Sequence, residues 1–471
     1  MSTASNGNST TMTKNKSVVS GQKIVLKKGF DIKLVGAPND TTIKTVDINR
    51  VAIRPIDFLG MSPIPKVVVA VGDEVKAGDP LFFDKKRPDI NYVSPVSGEI
   101  VDIVRGAKRA ITEVVVLADK QQSYRSFDVP KLSNRDSVKS FMATSGLWNY
   151  INQRPFDTVA DLDVVPRDVF ISTFDSAPLA IDYSVIIEGK EDAFQKGIDV
   201  LKSLTDGNVY LGLDGRAGSK IASGYSTATN VIKNHFKGKH PAGNVGIQIH
   251  HTAPINSGDH IWTLDVQSVI TIGKMFLEGK YDSSRIVAVV GGMLKDPKYV
   301  YVHQGASVGD ILADNIDVNA NNRIIAGNVL TGKQTTVERF MGYKDNQITV
   351  IEEGNKYEMF GWLLPLKPRP SISWTFPNFL FPNKKFKGET NTHGEKRAFV
   401  VTGQYESVLP MDIYPQHLMK AIMAGDFELM EGLGINELTE EDIAICEFVC
   451  TSKMPLQSIL RDGLEMMKSQ G

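Results

Sequence analysis

Apolar and polar positions change their period several times along this chain, and each change predicts a different kind of element. From Val51 to Leu117 the runs KVVVAVG, EIVDIV and TEVVVLA are short, valine-rich and bounded by glycine or proline, as strands are. Within them VGDEVKAGDPLFFDKK and SPVSGEIVDI place Gly72, Gly78, Pro95 and Gly98 where turns between strands belong. SVKSFMATSGLWNYINQRPF spaces Val138, Phe141, Met142 and Leu147 helically, which predicts a helix stopped by Arg154-Pro155. DVFISTF and NVYLGL read as buried strands around the amphipathic helix EDAFQKGIDVLKSLTDG, a β-α-β unit. SRIVAVVGG and KYVYVHQGASVGDILAD give two strands, a glycine turn and a short helix, and QITVIEEG and YEMFGWLLP add two strand-like runs. From Tyr414 on, PQHLMKAIMAGDFELMEGLG, EEDIAICEFVC and LQSILRDGLEMMKSQG are helical.

The order of these elements predicts a multidomain chain of α/β and β architecture. A disordered tail is expected over 1–22, then a barrel-sandwich (lipoyl-like) domain over 23–120 and a Rossmann-like α/β domain over 121–283. A β-grasp domain of the soluble-ligand-binding (SLBB-like) type over 284–366 and an aromatic and basic segment over 367–390 follow, before a helical domain over 391–471. A length of 471 residues accommodates this number of units, and 42% hydrophobic with 23% charged residues is ordinary for a globular protein. A net charge of -1 supplies no field for steering nucleic acid, so no nucleic-acid partner is expected. Two cysteines exclude a disulfide framework and fit a reducing compartment. No apolar run approaches the roughly 20 residues needed to span a bilayer. At a membrane, a partner would have to supply the spans.

Several stretches invite a chemical reading. Lys85 and Lys86 lie near the place where carrier domains of this sandwich type bear a modified lysine, but the tip continues as KKRPDINY, which reads as too long for a carrier hairpin. The loop GLDGRAGSK fits neither GxxxxGK[ST] nor GxGxxG, so a flexible loop is expected rather than a phosphate cradle. In HPAGNVGIQIHHTAPI an alternating strand would turn His250 and His251 to opposite faces, and His240 before a proline reads as a turn residue; no metal site is expected. Near the end, Cys446 and Cys450 match the last two ligands of the ferredoxin run C-x2-C-x2-C-x3-C-P. The first two ligands would fall on Glu440 and Ile443, and Thr451 replaces the proline. This is a degenerate cluster motif: two thiolates cannot close a four-ligand cluster, and buried free cysteines behave as small apolar residues. Between the β-rich part and the helices, Trp374, Phe376, Phe379 and Phe381 stand beside Lys384 and Lys385, a composition suited to a membrane or membrane-subunit interface.

Taken together, KKGFDIKLVGAP, SPVSGEIVDIVRGAKRA, SGLWNYINQRPF, HPAGNVGIQIH, GNVLTGK, FGWLLP and LPMDIYP with GDFELMEGLGINELTEEDIAICEFVC resemble one family from about residue 24 to the end. It is the family of A subunits of the sodium-translocating NADH:quinone oxidoreductase of bacteria, related to the C subunit of Rnf complexes. The resemblance implies a peripheral subunit on the cytoplasmic side of the inner membrane, in a six-subunit pump, touching the membrane B subunit. It implies no tightly bound cofactor here, with FMN, FAD and iron-sulfur centres in partner subunits and ubiquinone or menaquinone as electron acceptor. Where the family has a His-x-His pair, this chain has Gln248 and His250. No catalytic residue is assigned. Candidates for a quinone region are Phe30, Asp31, Leu34, Gly36 and Pro38, with Leu147, Trp148 and Phe156, because a quinone head needs apolar walls and a polar donor. Rival readings are a free iron-sulfur carrier, a carrier modified at Lys85 or Lys86, and a stand-alone soluble binder of small molecules.

Overall fold

Seven strands make the largest sheet among the described residues, which in the computed structural model are 21–317, 319–356, 358, 368–373, 376 and 378–470. In chain order the strands are β1 (Lys23–Val25), β2 (Asn152–Arg154), β3 (Thr158–Val159), β4 (Asp168–Ser172), β5 (Val209–Asp214), β6 (Ile232–Lys237) and β7 (Ile261–Asp265). They lie in the order β1-β6-β5-β4-β7-β2-β3. The first five of that order are parallel, and β2 and β3 are antiparallel additions at one edge. Residues 169–171 of β4 and 209–213 of β5 are buried without alternation, as a sheet covered on both faces demands.

The helix α1 (Arg135–Thr144) is shorter than its apolar spacing predicts. Gly146 takes φ 79°, a left-handed turn that the continuing helix would forbid, and the chain passes through a 3-10 turn at Leu147–Tyr150 into β2. Arg154-Pro155 therefore ends a strand, not a helix. The covering helices α2 (Glu191–Leu204) and α4 (Val266–Glu278) pack against each other on one face, while α3 (Val245–Thr252) packs on β4. Acidic Glu191 and Asp192 start α2, and Asp265 caps α4 by accepting from the Ser268 amide. The α2–α4 crossing is close because both helices offer glycine: a Cβ on Gly273 would stand 1.7 Å from the Ala193 carbonyl oxygen, and one on Gly197 2.1 Å from that of Val269.

Ahead of this domain, two antiparallel sheets of four and three strands form the expected sandwich. Its hairpin Pro80–Asp84 to Arg87–Val93 turns on Lys85 and Lys86 alone, so the tip is shorter than the run KKRPDINY suggests. Asp84 tightens it by accepting from the Lys86 amide and facing the Arg87 guanidinium at 3.8 Å. After the α/β domain a six-stranded sheet carries Ser284–Val290, Lys298–His303, Asn322–Ala326, Lys333–Thr335 and Gln347–Glu352. Its sixth strand is Ile43–Thr45, parallel to Lys298–His303. The short strands Lys23–Val25 and Ile43–Thr45, which precede the sandwich strands, thus pair outside the two sandwich sheets. They belong to the other two sheets, because their short extended runs complete exposed edges there. The chain ends in the helices Gln404–Val408, Pro415–Ala424, Phe427–Gly432, α5 (Glu440–Val449) and Leu456–Gln470, around an apolar core that Leu26, Phe236 and Ile247 also enter. YEMFGWLLP lies almost wholly outside the described residues.

Candidate functional site

Where its strand order reverses, an open α/β sheet has a crevice at the strands' carboxyl ends. Here those strands are β4 and β7. From β4 the chain runs to β5 and then β6 on one side of it, whereas β7, which follows β6, lies on the other side of β4. A cavity of about 260 Å³ occupies this point, lined by Ser172, Phe174 and Asp175 at the end of β4 and by Thr263, Leu264 and Asp265 of β7. Tyr150 of the 3-10 turn and Arg154 of β2 close it from the sheet edge, Asn328 and Lys344 from the six-stranded domain, and Glu441 from α5. Three domains meet there.

The groups around it are unequally satisfied. Asp265 accepts from Ser268 and from Arg285, Asp157 from the Asn152 amide at 2.9 Å, and Asp175 from the Ala177 backbone. His240, 3% exposed, meets the Ser176 hydroxyl through Nδ1 at 3.1 Å, and its Nε2 has no partner. Burial pushes this imidazole down to about 4, so it is neutral at pH 7. Between about pH 6.5 and 4 the unfolded chain accepts a proton there that the folded one refuses, so stability falls as the pH falls. The expected loss is about 2 kcal/mol at pH 5. Urea unfolding at pH 7 and 5 checks this, and His240→Gln should remove that part of the difference.

Beside the cavity Arg154, 2% exposed, is held by Asp442 at 3.0 Å and Glu441 at 2.9 Å, both on α5. Asp442 also caps its own helix, accepting from Thr439. It lies over the start of α3, where a Cβ on Gly246 would stand 2.2 Å from Asp442 Oδ2. The degenerate cluster motif is on this same helix. Glu440, at the first missing ligand position, takes a two-pronged contact from Arg461 at 2.5 and 2.6 Å, and Ile443, at the second, is wholly buried. The Tyr405 hydroxyl donates to Cys450 Sγ at 2.9 Å, and burial raises the Cys446 thiol. Both thiols being buried, a disulfide-exchange reagent should titrate neither in the folded protein and two in denaturant. Prompt reaction of either in the native state would mean that this helix opens.

None of the quinone-region candidates lines the cavity. Phe30 donates its amide to the His240 carbonyl, Asp31 accepts the His240 amide, and the Phe30 ring stacks on Phe448 of α5 at 6.2 Å. Phe156 precedes cavity-lining Asp157, and its carbonyl accepts from Arg461. Leu147 and Trp148 are fully buried, with the Trp148 indole bonded to the Ala160 carbonyl and set edge-on to Trp262. Leu34 pairs with Phe386, the Gly36 carbonyl accepts from Gly291, and Pro38 is half-buried. The Leu34 pairing ties this segment to the aromatic and basic one. There Phe379, Leu380 and Phe381 are each about 60% exposed beside exposed Lys384 and Lys385, while Phe376 is buried under Arg369. Trp374 lies outside the described residues.

His250 and His251 sit on helix α3, not on a strand, because the Pro241 turn and Asn244 start a helix where the apolar alternation suggested extension. His250 donates through Nδ1 to Glu437 and His251 through Nε2 to the Pro410 carbonyl, which fastens α3 to the C-terminal domain. Gln248 donates to the Ser172 hydroxyl at the end of β4. One His/Glu group among the described residues comes within metal-holding reach, Glu358, Glu389 and His393, but Lys356 and Arg369 already face its carboxylates. Sequence reasoning missed Lys344 and Arg154 altogether. Lys344 follows no motif, and Arg154 was legible only as the residue before a proline.

Family models match residues 24–119 as the NqrA N-terminal barrel-sandwich hybrid domain, 133–281 as the NqrA second alpha/beta domain and 286–337 as the NQRA C-terminal domain of SLBB type. The NqrA of Vibrio atlanticus, a component of its Na(+)-translocating NADH-quinone reductase, is 36% identical over 95% of this chain and 100% of its own length. The chain belongs to the NqrA family. The NqrA of Yersinia pestis biovar Antiqua is 38% identical over the same shares. Among solved structures, an air-oxidized NAD+-reducing [NiFe]-hydrogenase covers 72% of this chain and 62% of its own at 12% identity and a TM-score of 0.36, a level at which neither fold nor function transfers. No helix among the described residues is long and apolar enough to cross a membrane.

Proposed function

We infer that this chain is the peripheral NqrA component of a membrane respiratory complex that oxidises NADH, reduces quinone and exports Na+. The observation that carries the reading is the end-to-end match, at 36–38% identity, to relatives named as that component. Its α/β domain is Rossmann-like in strand order, and it stands on the cytoplasmic side of the bacterial inner membrane. FMN, FAD and iron-sulfur centres belong to the partner subunits, and this chain holds none of them tightly. Ubiquinone or menaquinone approaches through the segment Phe30 to Pro38 and Phe156, where half-buried rings flank the junction of three domains.

Docking to the membrane B subunit falls to the segment over 367–390, because its exposed rings next to lysines suit a surface half in water and half in apolar contact. Replacing Phe379 and Phe381 together by alanine is expected to leave the thermal unfolding of the isolated chain unchanged and to lower its recovery in the assembled complex several-fold. Unchanged assembly would move the interface elsewhere. The whole reading is tested by a pull-down from mildly solubilised membranes through a tag ahead of residue 21. Flavin and sodium-stimulated NADH:quinone reduction should travel with the tagged chain. A chain recovered alone and colourless from the soluble fraction would favour a stand-alone small-molecule binder instead.

A further inference from the structure

Among the buried side-chain atoms that line the cavity at the β4–β7 crevice, those without a hydrogen-bond partner are donors. Lys344 extends its ammonium to the Asn152 side-chain oxygen at 2.5 Å and the Tyr150 carbonyl at 3.3 Å, both neutral, and makes no ion pair among the described residues. Burial lowers it to about 8, so it still carries its charge at pH 7. His240 Nε2 and Arg154 Nε are buried without partners. The lining carboxylates Asp157, Asp175, Asp265 and Glu441 each already accept from a protein donor. A buried donor left unmatched costs free energy unless something fills it. At these atoms the shortfall is in acceptors, although the lining as a whole holds four carboxyl groups against the two cations Lys344 and Arg154.

A phosphate would look for a helix start with free amides. The nearest, that of α3, is covered by the Asp442 carboxylate. The cavity walls meanwhile include Phe174, Leu264 and Leu330, an apolar lining for a short carbon skeleton. A volume of about 260 Å³ suits a molecule smaller than a drug or a nucleotide. We propose that this cavity is a binding site for a small organic carboxylate, its anionic end on Lys344 with His240 Nε2 as a neutral second donor.

The test is calorimetric titration of the full chain with succinate, inorganic phosphate and methylammonium, each at matched ionic strength. Succinate should bind and the other two should not. Lys344→Met should weaken succinate about 10- to 100-fold, the loss of one charge-assisted hydrogen bond, and Lys344→Arg should restore part of it. Succinate binding that survives in Lys344→Met overturns the assignment to this cavity, and phosphate binding as tight as succinate overturns the carboxylate class. No heat with succinate on the wild-type chain overturns the proposal without recourse to any variant, and it leaves the reading as a pump component untouched.

Discussion

Asp442→Ala is expected to lower the stability of the chain by about 3–5 kcal/mol, because it leaves a buried guanidinium with Glu441 as its one remaining close carboxyl partner. Arg154 is 2% exposed and Asp442 fully buried, so neither charge is screened. The variant also removes the acceptor that caps α5 and the anion lying over α3. The contact joins two domains, so the C-terminal helices should loosen first. Limited proteolysis should release a fragment from that end at a urea concentration where the wild type is intact. Asp442→Asn, nearly the same size, should lose most of the same free energy if charge is the cause. The double change Arg154→Met with Asp442→Leu should regain much of it, since a buried pair replaced by apolar groups is often neutral. A single variant within about 1 kcal/mol of wild type would mean that Arg154 finds solvent.

Gly273→Ala is the second large effect, expected near 3 kcal/mol, at the upper end for overpacking a close-packed interior. Alanine is the better helix former by about 1 kcal/mol, so propensity alone predicts a gain. The collision decides otherwise. The added methyl would stand 1.7 Å from the backbone oxygen of Ala193, and a backbone atom cannot swing aside as a side chain can. Only separation of α2 from α4 relieves it, and those helices share one face of the central sheet. Thermal unfolding of this variant beside Gly432→Ala, where nothing lies within 4 Å, separates the two terms. A stabilised Gly273→Ala would show that the helices slide apart at little cost.

Elements whose signal is local were readable from the sequence. The strands DVFISTF and NVYLGL and the helix between them fell where unbroken apolar runs and helical spacing put them. The reading failed where two periods fit the same letters. VGIQIHH alternates as a strand does, yet a proline turn before it and carboxyl-bearing neighbours far along the chain favour a helix. Leu147 continues the spacing of α1, but Gly146 breaks the backbone first. The site was the least legible part, since its walls are assembled over nearly 300 residues: Arg154 meets partners at 441 and 442. No spacing rule reaches that far. The cluster motif was legible as an absence of ligands, while the use of Glu440 as a partner for Arg461 needed the fold.

The strand Lys23–Val25 pairs with β6, and the neighbouring amide of Gln22 bonds to Asn234, 212 residues on. During synthesis, then, the front of the chain leaves the ribosome long before the strand it must join exists. At about 5–20 residues per second, the interval is roughly ten to forty seconds. Throughout it the sandwich can close without these residues, since Ile43–Thr45 waits in the same way for Lys298–His303. A segment made early thus waits for partners made much later.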